Sequence, residues 1–456
     1  MKISQPTVTI DEDEGFEKND LFELKDFGER LENLFVNLDT PLVVALDGEW
    51  GTGKSTFAKQ WAGSLRSKKI PTIYFDAFAN DFQEDAFIAL TAEILRCAET
   101  TNAAGKSEEV SKVISKAKVA GRVLMPFLAK AIMKAAFLGA ISTSDLDGIS
   151  EEFKSILKDT GNDTGTLVEK LIEDRFRNAI ADREALESFK ISLCALAEKL
   201  SKQSSLTPVP LVIIVDELDR CRPSFALNLL ERVKHLFSVD GVSFLFVTNL
   251  KQLQASARKH YGHETDAEMY IDKFFNIRIS LPKNTDPNQT TRAKYLRHIL
   301  SSSEILATRE IGEAITDIII WLSEIHNLSL RSIEKIATQI CLLSAASGKA
   351  RLDPFSTGGL IAMRQISPSL FRKAQNDTLN QSEVEDFMQF HRWEAFDNHA
   401  AEMNKDFWIC LTDRNINGKE IAERYPNHRY LANLNRRRFL PNAAKLIEQL
   451  PNSFTQ

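Results

Sequence analysis

Cysteine is scarce in this chain. There are five in 456 residues, at 97, 194, 221, 341 and 410, and no two form a C-x-x-C pair. Scattered and odd in number, they argue against a disulfide framework and point to a reducing compartment, so the expected localisation is cytoplasmic. The first sixteen residues, MKISQPTVTIDEDEGF, lack the apolar core of a secretory signal. An excess of positive charge is also missing. Lys and Arg number 57 against 63 Asp and Glu, for a net charge of −6 and a pI near 5.9. That balance does not predict nucleic-acid binding by the chain as a whole. No zinc-ligand cluster, nucleophile elbow or nuclease carboxylate set is visible, and no internal repeat. His391 and His399 stand eight residues apart without companion ligands and read as ordinary helix-surface residues.

What is present is an ordinary globular composition, 43% hydrophobic and 26% charged, with length for about three domain equivalents. One segment dominates it. Gly48, Glu49, Trp50, Gly51, Thr52, Gly53, Lys54 and Ser55 fit the P-loop pattern G-x4-G-K-[ST]. An apolar run at 41–46 precedes it and reads as a buried strand; a helical run from Thr56 follows it. In that context the loop's backbone N–H groups converge on a β-phosphate at the positive end of a helix. Lys54 would reach the β/γ oxygens, and Ser55 would hold Mg²⁺.

The remaining periodicity sets an α/β fold class, a parallel sheet with helices on both faces. Residues 1–20 read as an edge strand or an arm packed on the core, and 21–37 as an amphipathic helix. Further strands are expected at 70–75, 211–215, 242–248 and 274–281, and helices at 84–98, 224–238 and 250–260. Residues 100–205 read as a helical insertion within an NTPase domain of 1–285, followed by an all-helical domain of 286–456. Inside the insertion, 119–141 is the most apolar stretch. Pro126 and the cations Arg122, Lys130 and Lys134 interrupt it. The three cations form one narrow stripe on a helix, which either lies on an anionic membrane surface or faces water while the rest is buried.

The run IIVDELDRCRP, 213–223, supplies the second half of a phosphate site. Asp216 at the end of a buried strand would bind Mg²⁺ beside Ser55. Glu217 would orient the attacking water as general base, with Asp219 a rival that spacing does not eliminate. Arg220 and Arg222 flank Cys221; one of them can act as an arginine finger on a neighbouring subunit, or both pair with acidic residues such as Asp219. Cys221 reads as a small packed residue. Asn249, after the strand at 242–248, either senses the γ-phosphate or caps the next helix. Arg331, opening a helix in the second domain, either contacts nucleotide or is solvated.

Together GEWGTGKS, FDAFANDFQEDAF after the second strand, VDELDRCRP and the Tyr270–Phe275 segment resemble the KAP family of P-loop NTPases over about residues 20–285. Phe78 and Asn249 stand where that family usually has Trp and an acidic residue. The resemblance implies an additional-strand sheet, an ATPase using ATP and Mg²⁺, and a helical, often membrane-spanning insertion where 100–205 lies. It also implies an association with bacterial anti-phage defence.

The leading expectation is a regulatory ATPase whose nucleotide state controls assembly, as a homo-oligomer, or a separately encoded effector. The alternative is a nucleic-acid-dependent motor or clamp. It would use a basic C-terminal stretch, Arg424, His428, Arg429, Arg436, Arg437, Arg438 and Lys445, interleaved with Tyr425, Tyr430 and Phe439. A non-hydrolysing scaffold is the third reading, and the complete Walker B pattern argues against it.

Overall fold

A computed structural model describes residues 10–38, 40–83, 86–101, 187–202, 209–236, 238–282, 290–302, 309–347, 353–395, 398–413, 423 and 436–449. Its centre is a five-stranded parallel sheet. The strands are β1 (Val43–Asp47), β2 (Thr72–Asp76), β3 (Leu211–Asp216), β4 (Val242–Thr248) and β5 (Ile277–Ile279), in the order β2-β3-β4-β1-β5. The three central strands are almost wholly apolar because both of their faces are covered. β5, at the edge, is short and half-buried, and sends Arg278 outward to Asp272 at 3.4 Å. The additional strand β4 lies between β1 and β3. It pairs Asp47 with Thr248 and Leu211 with Val242, so the ends of all three strands meet in one crevice.

The helices of this half are α1 (Lys25–Asn37), α2 (Lys54–Ser67), α3 (Ala86–Thr101), α4 (187–202), α5 (Pro223–Val233), α6 (Leu250–Tyr261) and α7 (Ala267–Asp272). Strand alternation divides the core between the two faces. Val44, Leu46, Val212, Ile214, Leu245 and Val247 pack with Phe57 and Trp61 of α2 and Phe35 of α1. Val43, Ile73, Ile213, Val215, Phe244 and Phe246 pack with α3, α4, α5 and α6.

Two expectations change here. Helix α4, read from sequence as part of the insertion, buries Phe189, Leu193, Leu196 and Leu200 in the sheet's own core. Helical periodicity looks the same in an insertion as in a core layer, and only packing separates them. Residues 10–20 are the arm and not the strand: they run in turns, Phe16 is buried, and a Cβ on Gly63 would come within 2.2 Å of the Glu14 carbonyl oxygen. The apolar stretch 119–141, with Arg122, Lys130 and Lys134, lies outside the described residues.

From residue 290 onward the described residues contain no strand. The helices are α8 (Thr291–Ser302), α9 (Arg309–Ile325), α10 (Leu330–Ser347), α11 (Pro354–Ile366), α12 (Pro368–Gln375), α13 (Gln381–Met388), α14 (Asn398–Thr412) and α15 (Arg436–Glu448). They share a separate core in which Ile318, Ile319 and Leu322 of α9 meet Leu360 and Ile361 of α11. Glycine permits the closest approach: a Cβ on Gly359 would stand 2.3 Å from the Trp408 ring. Local capping agrees with packing, as in the Asn380/Glu383 capping box that starts α13.

The two halves meet at the P-loop. Arg292 of α8 bonds the Leu328 carbonyl (2.7 Å) and Glu324 (2.7 Å), which holds the α9–α10 turn in place. From that turn the Leu330 N–H donates to the Gly51 carbonyl at 2.9 Å. Phe22 wedges in beside it, its ring 6.1 Å from that of Tyr295 and 3.2 Å from where a Gly53 Cβ would be.

Candidate functional site

The loop at 48–53 turns sharply from β1 into α2. Gly51 (φ +74°) and Gly53 (φ +89°) take left-handed conformations that cost a side-chain-bearing residue about 1–2 kcal/mol. The amides that open α2 have no partner within the helix and carry its positive end. Thr52 closes the loop by donating to the Glu49 carbonyl at 2.9 Å, and Thr56 follows in the first turn of α2. The Glu49 carboxylate points to Lys251 of α6 at 3.8 Å. The Lys54 ammonium is buried and donates to the Gly48 and Glu49 carbonyls at 2.5 and 2.8 Å. Burial lowers its pKa, opposed by the carboxylates of Asp219, Asp216 and Asp47. A Cβ on Gly48 would intrude 3.3 Å from both the Lys54 side chain and the Thr52 hydroxyl.

The parallel pairing of β2, β3 and β4 brings the acidic end of β3 to this loop. Asp216 is 1% exposed. Its Oδ1 accepts from the Glu217 N–H at 2.7 Å and its Oδ2 from the Tyr74 hydroxyl at 2.5 Å. Burial pushes its carboxyl pKa up, and Tyr74, the Ser55 side chain and the Glu217 N–H pull it back. A hard-oxygen pair, Ser55 Oγ and the Asp216 carboxylate, next to a lysine ammonium and glycine amides, fits Mg²⁺ carried on a nucleotide.

Glu217 turns sharply away from the strand, at φ +59°, and its carboxylate pairs with Arg220 at 2.7 Å. Burial raises its pKa, while Arg220 lowers it. Asp219 is occupied differently. One oxygen accepts from the Trp50 indole N–H, the other from the Thr248 hydroxyl at 3.2 Å. It therefore ties the P-loop to the end of β4. The Cys221 thiol is buried, pushed up in pKa by that burial, and 3.6 Å from the Glu217 carbonyl, as a packed residue would be.

The structure places the remaining sequence-predicted residues. Arg220 and Arg222 both pair with acidic residues, Glu217 and Asp81, and neither with Asp219. Arg222 Nε meets Asp81 Oδ1 at 3.0 Å, and its own N–H meets Asp81 Oδ2 at 3.1 Å, which clamps the 78–83 turn. Asn249 takes the capping alternative: buried, it accepts from the Gln252 N–H at the start of α6. The residue that reaches the site from β4 is Thr248, one position earlier. Arg331 is exposed on the first turn of α10, directly after the Leu330–Gly51 contact.

Sequence reasoning also passed over Tyr74. A phenol on a strand next to β3 was its only signal, and strand order was needed to read it.

At the C-terminus, Arg436, Arg437 and Arg438 open α15. Arg438 and Lys445 are exposed. Phe439 packs against Phe407 with ring centres 6.3 Å apart, so it is not a base-stacking platform. The side chains of Arg436 and Arg437, and residues Arg424, Tyr425, His428, Arg429 and Tyr430, lie outside the described residues. Among the described residues no three His, Cys, Asp or Glu side chains group to hold a metal, and no helix is long and apolar enough to cross a membrane.

A family model described as the KAP family P-loop domain matches residues 26–345. No curated protein matches the chain. Among solved structures it is similar to the Aeropyrum pernix ORC2 protein in its ADPNP-ADP complexes, at 12% identity over 97% of this chain and 96% of that one. The TM-score is 0.34, too low for any functional argument.

Proposed function

Because the chain belongs to the KAP family of P-loop NTPases, we propose that it is a regulatory ATPase that binds and hydrolyses Mg-ATP. The observation that carries this reading is the buried Asp216 carboxylate at the end of β3, bonded by Tyr74 and interacting with the buried Lys54 ammonium of the P-loop. Bound Mg²⁺ would supply charge neutralisation and an in-line arrangement of the phosphates. Lys54 exchanges the Gly48 and Glu49 carbonyls for β/γ oxygens. Ser55 and Asp216 hold the metal. Glu217, once released from Arg220, orients the attacking water and takes its proton. Asp219, bonded on both oxygens, keeps Trp50 and Thr248 in register and is the weaker candidate for base.

The Leu330–Gly51 hydrogen bond supports a regulatory output, since any movement of the P-loop is felt at the first turn of α10. Arg331 stands there as a candidate nucleotide contact in cis. Arg222 is held by Asp81, whereas Arg220 is freed when Glu217 leaves it, so a further cation for the transition state would come from Arg220, from Arg331 or from a neighbouring copy. The nucleotide state would then control self-assembly or a separately encoded effector. The family's association with bacterial anti-phage defence supports an output in defence, by analogy alone.

The test joins turnover with solution mass. Wild type should release phosphate from Mg-ATP, and Lys54→Ala should lower that release by about 100-fold or more. Glu217→Gln should retain nucleotide and stop turnover. With Mg-ATP its mass should rise to a discrete multiple of 51.4 kDa if assembly is the output. A nucleotide-bound monomer directs the reading to a separate effector. Failure of the wild type to bind nucleotide overturns it.

A further inference from the structure

We propose that Tyr74 is a positioning residue for the Mg²⁺ carboxylate, and that its phenol fixes the rotation of Asp216. This inference rests on the metal role assigned to Asp216 above. β2 and β3 run parallel in a register that sets Tyr74 opposite Ile214 and Asp76 opposite Asp216. Tyr74 is thus two residues short of the strand end, on the sheet face that α2 covers together with Val212 and Ile214. A phenol is long enough to make up that distance: its hydroxyl reaches Asp216 Oδ2 at 2.5 Å. Lys59, four positions after Ser55 on α2, lies 5.8 Å from the ring centre, so the ring sits beneath the same helix face that carries Ser55.

The terminal torsion of an aspartate is broad, and the carboxylate rotates easily unless both oxygens are held. Two donors hold Asp216, one on each oxygen: the Glu217 N–H on Oδ1 and the Tyr74 hydroxyl on Oδ2. Of the two, Tyr74 alone is a side chain. Outer partners of this kind orient a metal-binding carboxylate without touching the metal, and their loss typically costs 10–100-fold in metal affinity.

The experiment compares wild type and Tyr74→Phe, with Tyr261→Phe as an off-site phenol control. Binding of a fluorescent ATP analogue is measured in chelator and across an Mg²⁺ titration, and Mn²⁺ binding to the ADP complex is followed by electron paramagnetic resonance. Phenylalanine keeps the ring and its packing, so affinity in chelator should match wild type. The metal concentration for half-saturation should rise about 10-fold or more. An unchanged metal requirement in Tyr74→Phe, or an equal loss with and without metal, overturns the assignment. Wild-type binding that ignores Mg²⁺ overturns the metal site itself and the Tyr74 role with it.

Discussion

A carboxylate at 1% exposure is an unstable place for a charge, and Asp216 occupies one. Burial raises its pKa above the ordinary carboxylate value despite the donors around it. Between the unfolded and the folded pKa, the folded chain therefore keeps a proton there that the unfolded chain has already released. The stabilising contribution is complete below the unfolded pKa and is lost as pH rises through the folded one. At neutral pH the ionised group works against folding. Asp216→Asn should accordingly melt at a higher temperature than wild type in metal-free buffer at neutral pH, with the gap closing as the solution is acidified. Mg-ATP should stabilise wild type but not the variant. Thermal melts across pH check this, and a wild type that melts higher at neutral pH contradicts it. Residue types at this scale were legible in sequence: Lys54, Ser55 and Asp216 stand together as expected. Their partners were not. That Arg222 would clamp Asp81, or that Thr248 and not Asn249 would reach Asp219, depends on which loops the fold sets side by side.

Among the elements, the contact between the P-loop and α10 is the one most open to test. Gly51 has φ +74°, and a Cβ there would stand 2.8 Å from Ser329 Cβ. Gly51→Ala therefore adds backbone strain of about 1–2 kcal/mol and pushes the α9–α10 turn away. The Leu330 amide should lose its bond to the Gly51 carbonyl and exchange with deuterium faster, while amides within α11 stay protected. Unaltered exchange at Leu330 would show that the two halves are not joined through this glycine. Strands were the easiest elements to read, because a run such as Leu211–Asp216 is apolar on both faces and bounded by turn residues. Helices were found but not assigned. α4 has the same periodicity whether it serves an insertion or a core, and its burial against the sheet decided the matter.

For the whole molecule, the net negative charge and the packing of Phe439 against Phe407 support the proposed switch over a nucleic-acid motor. On that proposal ATP turnover should be unchanged by single- or double-stranded DNA. Stimulation by DNA that weakens sharply with salt would reverse this conclusion. The chain's sequence by itself determined the sheet-forming segments, the P-loop, the carboxylate that ends β3 and the helical second half. Each of these follows from local chemistry: periodicity, glycine conformation, a lysine at fixed spacing. Tertiary structure decided the strand order that puts β4 between β1 and β3, the side chains that restrain Asp219 and Asp216, and the docking of Leu330 on Gly51. Those are contacts between residues tens to hundreds of positions apart, and no local pattern specifies them. They arise only when burial of the two sheet faces brings the loops to one edge.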